Sequence, residues 1–118
     1  MKDSNNPLLI KTLDFSVDVV NFYKDVLDTN QDKTLANQLL RSATSVGANV
    51  QEAIGAISKA DFISKLHIAL KEINETIYWL QVFDRTPLYN YHFQDLLVKA
   101  IEIKKIITAS IKTAKSDS

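Results

Sequence analysis

Residues 39–53 read LLRSATSVGANVQEA, and this stretch decides the fold. With its neighbours it places Leu35, Leu39, Ala43, Val46, Val50 and Ile54 at steps of four and three, the spacing of an apolar seam along one helix. Arg41, Ser45, Asn49 and Glu52 repeat at four, four and three, and form a polar stripe opposite that seam. The segment is also rich in small residues, over which two helices approach closely. The reading is an α-helix over about residues 33–56, apolar on one side and polar on the other.

Working outward, the same periodicity gives three more helices. Asn6-Pro7 joins a good N-cap to a proline at the first helical position, where a missing N–H costs nothing. Leu9, Leu13, Val20 and Leu27 then line a seam on a helix over about 7–28. The polar run Thr29 to Lys33 separates it from the central stretch. Gly55 is placed to end that stretch as a left-handed C-terminal residue. Ser58-Lys59-Ala60-Asp61 reads as a capping box that opens a third helix over about 58–85. Its seam is Phe62, Leu66, Ala69, Ile73, Ile77 and Leu80, and Arg85-Thr86-Pro87 closes it. Asn90 is the expected cap of a fourth helix over about 90–115, carrying Phe93, Leu97, Ala100, Ile107, Ile111 and Ala114. Connections this short make sequential helices antiparallel neighbours. The expectation is an all-α, up-down-up-down four-helix bundle occupying residues 1–118 as one domain.

Composition agrees with that reading and narrows the function. The 118 residues are 46% hydrophobic and 24% charged, a globular balance large enough for one core. Two glycines and two prolines leave too little turn material for an all-β fold. Fourteen basic residues balance fourteen acidic ones, so the strong positive field of a dedicated nucleic-acid coat is absent. There is no cysteine, hence no disulfide and no thiolate metal site. Neither a secretory leader nor a run of apolar residues long enough for a membrane span is present, and a cytoplasmic protein is expected.

Catalytic signatures are missing. None of the four glutamates has a histidine three residues later, so the paired Glu-x-x-His ligands of a di-metal bundle do not occur. No glycine-flanked serine elbow or phosphate-cradling loop is found. Glu72 and Glu75 share one side of a helix and form the one candidate acid–base pair, but such pairs are far more often solvated or bridged by a cation. Arg41 is expected to pair with Glu72 or Glu75, between helices or between subunits, because a guanidinium binds carboxylates bidentately. Arg41, Ser45, Asn49, Glu52, Glu72 and Glu75 are therefore assigned to a polar network that fixes helix register or assembly. No cofactor and no metal are implied.

Two surface features point outward. Phe15, Val19, Phe22 and Val26 form a second stripe on the first helix, and Ile68 and Trp79 lie on a second side of the third. A lone small bundle needs one apolar stripe per helix, so these six residues are expected at an interface between copies of the chain, the alternative being a broader core within one chain that absorbs them. Charge is also unevenly spread. The first helix carries two lysines and four aspartates; the fourth carries five lysines against Asp95 and Glu102. Lys99, Lys104, Lys105 and Lys112 are candidate nucleic-acid contacts if copies of a ring add their weak patches together.

The stretch 39–53 resembles the signature of the 23S ribosomal RNA intervening-sequence protein family. Its second half is KADFISKLHIALKEINET over residues 59–76, followed by Tyr78-Trp79-Leu80. The chain departs at Ala53-Ile54-Gly55, where a Glu-Gly step is common, and at Tyr91-His92-Phe93, where acids often stand. The resemblance implies an antiparallel four-helix bundle assembling as a homopentamer, with no assigned catalytic residues. It also extends to the accessory protein of diversity-generating retroelements, a strongly basic pentamer that binds nucleic acid and a reverse transcriptase. The leading expectation is a non-enzymatic oligomeric assembly or adaptor protein. The alternative is a nucleic-acid-binding accessory protein, whose partners are RNA, DNA or a nucleic-acid enzyme.

Overall fold

In the computed structural model, which describes residues 6–117, the chain forms four helices: α1 (Pro7–Asp28), α2 (Thr34–Ile54), α3 (Lys59–Arg85) and α4 (Gln94–Ser116). Among the described residues there is no strand. None of the helices is long and apolar enough to cross a membrane. The start signals act as expected at two helices. The Asn6 side chain accepts from the Leu9 N–H at 3.1 Å with Pro7 in the first turn, and Ser58 Oγ accepts from the Asp61 N–H at 3.0 Å.

Each helix packs on its neighbours in sequence, and α4 closes back onto α1, giving a rod 50 Å long. Side-chain ties run in opposite directions along facing helices. Lys11 meets Glu102 at 3.1 Å while Asp18 meets Lys99 at 2.7 Å. Across α2 and α3, Arg41 meets Glu72 at 3.3 Å and Glu52 meets Lys65 at 3.1 Å. One apolar cluster threads all four helices, from Leu8 to Ile111. The seams of α2, α3 and α4 lie where periodicity put them, with Leu39, Val46, Leu66, Ile73, Leu80 and Ile107 sealed from solvent.

The first helix is the exception, and its two stripes exchange roles. Phe15, Val19, Phe22 and Val26 are core residues, each 2% exposed or less. Leu13 is 60% exposed, Val20 47% and Leu27 49%, so the expected seam faces out. Leu9 is only partly buried, packed against the edge of the core. The reason is size. Two phenylalanines carry more apolar area than the leucines and valine they displace, and a buried Phe is worth roughly 1.5–3 kcal/mol. At one end of the rod, Phe22 packs against Phe83, Tyr89, Tyr91 and Phe93 with ring centroids 4.8–6.2 Å apart.

That aromatic cluster also moves the start of the fourth helix. The fourth helix starts at Gln94 rather than near Asn90, because Tyr89, Tyr91 and Phe93 use the preceding loop to fold over Phe22 and Phe83. Phe93 precedes the helix without a side-chain cap. The Tyr89 hydroxyl donates to the Asp32 carbonyl at 2.6 Å and ties this loop to the α1–α2 connection. Gly55 ends α2 with φ −87°, so the left-handed cap expected there does not form. The left-handed residue is Asn30 (φ 58°), in the turn after α1, where an amide side chain tolerates that backbone.

Candidate functional site

The polar stripe of α2 resolves into separate pieces. Arg41 reaches across to α3 and donates to two carboxylates, through Nη1 to Glu72 and through Nη2 to Glu75. Trp79 donates its indole N–H to Glu75 Oε2 at 3.2 Å. Burial pushes the Glu75 carboxyl up, but the Trp79 and Arg41 donors outweigh it and hold the group below its ordinary value. The paired carboxylates raise Arg41 in turn, chiefly through its hydrogen bond to Glu75. A depressed carboxyl that accepts from two donors is tuned away from general-acid work near neutrality. It is suited to fixing the register of α2 on α3.

Beneath the clamp lies a pair the sequence reading passed over. The Ser42 and Thr76 hydroxyls sit 2.9 Å apart, both fully buried, and Thr76 bonds back to the Glu72 carbonyl at 2.8 Å. Their signal was present, since Thr76 lies between Ile73 and Leu80 on the α3 seam and Ser42 borders the α2 seam. No buried side-chain nitrogen or oxygen among the described residues lacks a partner. Ser45 and Asn49 stay local, with the Asn49 amide donating to the Ser45 carbonyl at 2.9 Å. Glu52 pairs with Lys65 instead of joining the clamp.

Elsewhere the expected interface residues divide. Phe15, Val19, Phe22 and Val26 are enclosed within the single chain and are unavailable to a partner. Trp79 is half-buried and stacked edge-on against exposed Tyr78, with centroids 5.3 Å apart, while Ile68 is exposed. The outward apolar surface of α1 is instead Ile10, Leu13, Val17, Val20 and Leu27. Ile10, Leu13, Val17 and Val20 fall at steps of three, four and three, a continuous stripe on the face opposite the core, and Leu27 lies two turns further on, beyond exposed Lys24.

The α4 lysines also divide. Lys99 turns toward α1 and is held by Asp18 at 2.7 Å, and that hydrogen bond raises its pKa. This removes it from the candidate nucleic-acid contacts. Lys104, Lys105 and Lys112 instead line an open groove of about 550 Å³ between α3 and α4, over Ile77, Ile101 and Ala109. A second groove of about 550 Å³ continues it past Thr108 and Lys112 to Leu70, Ile111 and Lys115. Neither carries an acidic residue. Among the described residues, no group of three or more His, Asp or Glu is placed to hold a metal ion.

These features define a class: an all-α protein of four helices with one core, a cation-clamped helix interface and an apolar outer face. A sequence profile described as 23S rRNA-intervening sequence protein matches residues 5–109, and the chain belongs to that family. A solved structure from Bacteroides thetaiotaomicron VPI-5482, titled as a protein of unknown function from the S23 ribosomal protein family, is similar. It is 42% identical with a TM-score of 0.83, over 89% of this chain and 98% of that one. No functionally curated protein matches the chain.

Proposed function

We propose that the chain is a non-enzymatic subunit of a homo-oligomer, an up-down-up-down bundle that serves as an assembly or adaptor protein. The observation that carries this reading is the outer face of α1. Ile10, Leu13, Val17, Val20 and Leu27 are each at least 44% exposed, and form one ridge with no cover in the single chain. A contiguous apolar ridge in water is costly unless a partner hides it. The Arg41 clamp supports the non-enzymatic part, since both carboxylates of the one acid–base candidate are engaged. Family resemblance supplies five as the copy number. Static light scattering at micromolar concentration tests the reading: a mass of several chains supports it, and a strict monomer overturns it.

A second reading rests on the groove lysines. Lys104, Lys105 and Lys112 share one surface and, among the described residues, form no ion pair. Repeated around a ring, they would hold a polyanion that one neutral subunit holds poorly. This reading predicts RNA or DNA affinity that falls steeply with added salt and is lost in Lys104→Glu/Lys105→Glu.

A further inference from the structure

Two surfaces of this chain complement one another and cannot meet within one copy. The first is the α1 ridge, which runs about 25 Å from Ile10 to Leu27 and is crossed by Lys24 in its last turns. Its flank carries exposed Asp14 and Asp25, which form no ion pair among the described residues, whereas Lys11 is turned aside to Glu102 and Lys24 and Asp28 pair with each other at 3.8 Å. The second is the α3–α4 groove, with an apolar floor from Ile77 and Ile101 to Ile111 and a rim of lysines. It runs from Ile101 to Ser116 on α4, about 22 Å of helix, close to the ridge in length. In the bundle α1 packs between α2 and α4, so its outer ridge points away from the α3–α4 groove of the same copy.

We propose that the α1 ridge of one copy seats in the lysine-rimmed α3–α4 groove of a second copy, with Asp14 and Asp25 facing the lysine rim. This rests on the homo-oligomer reading above and specifies its contact. A helix laid in a groove places anchors at steps of three and four, which Leu13, Val17 and Val20 provide. Opposite charges along the rim select the partner and the direction of docking more than they add affinity. The contact joins two different surfaces, so it is head-to-tail, and its repetition closes a ring or extends a chain. It also engages Lys105 and Lys112 with the protein's own acidic helix, so self-assembly and polyanion binding compete for the same side chains.

The test uses two double variants at exposed positions, Val17→Glu/Val20→Glu for the ridge and Lys105→Glu/Lys112→Glu for the groove. Circular dichroism first checks that each retains the wild-type helix signal. Sedimentation velocity is then run on wild type, on each variant and on their equimolar mixture. Wild type should sediment as a multimer and each variant as a monomer. The mixture should give a dimer and nothing larger, because one intact ridge and one intact groove remain to meet. A multimeric wild type whose groove variant still assembles overturns the docking and leaves the homo-oligomer standing, as does a mixture that stays monomeric. Loss of RNA binding by the groove variant with assembly intact likewise overturns it, and assigns the lysines to nucleic acid. A monomeric wild type removes both the docking and the reading beneath it.

Discussion

Truncating Arg41 leaves Glu72 largely buried with its ion pair broken, while Glu75 keeps only its indole donor. Arg41 is half exposed, so the cost is discounted for screening, and Arg41→Ala should lower the unfolding free energy by about 1–3 kcal/mol. Urea denaturation checks this. Arg41→Lys should recover only part of it, because an ammonium cannot span two carboxylates as a planar fork does. Glu75 adds a pH signature. Its folded value is depressed below 4.5, so its contribution is complete above that point and fades as pH falls through the lower folded value. The stability gap between wild type and Glu75→Gln should therefore be full above pH 4.5 and narrow as the pH is lowered below it. The pairing of Arg41 with Glu72 and Glu75 was legible from three-residue spacing and guanidinium chemistry. The Ser42–Thr76 pair was not, because a hydroxyl within an apolar seam declares its burial but not its partner.

On α1 the question is which of two apolar stripes faces the core. The structure predicts a sharp asymmetry in a single chain. Phe22→Ala should destabilise by about 3–5 kcal/mol, whereas Leu13→Ala should cost under about 1 kcal/mol, measured by denaturation at concentrations where copies do not associate. If instead Leu13→Ala were the costlier change, α1 would be rotated relative to the structure. Periodicity identified both stripes and mislabelled them, because steps of three and four look alike on either face of a helix. The choice is made by partners distant in sequence, Phe83 and Phe93 above all, and no window on α1 contains them. The α2 small-residue stretch behaves more simply. A Cβ added at Gly47 would lie 3.4 Å from Ser16 Oγ and 3.5 Å from the Thr12 carbonyl oxygen. Those are ordinary van der Waals contacts, so Gly47→Ala should stabilise by up to about 1 kcal/mol in denaturant through gained helix propensity, while Gly47→Leu should cost about 1–3 kcal/mol by pushing α1 away.

At the scale of the whole chain, a formal charge of zero conceals an acidic helix on one side and a lysine-rimmed groove on another. Helix number, three of the four seams and the α2–α3 tie were legible in sequence. The groove was not, because its floor combines Ile77 with Ile101 and becomes visible only once α3 and α4 are packed. The aromatic end was also hidden, since it needs a loop, not a helix, over residues 86–93. What the fold leaves over is a ridge of apolar side chains on the far side of α1 from the core. A homo-oligomer requires a sister copy to cover that ridge. Sedimentation equilibrium of the wild-type chain over a range of micromolar concentrations measures this most directly. A mass that is a whole multiple of 13.3 kDa, reduced to one chain by Val17→Glu/Val20→Glu, is the predicted result. A mass of 13.3 kDa at every concentration would contradict it.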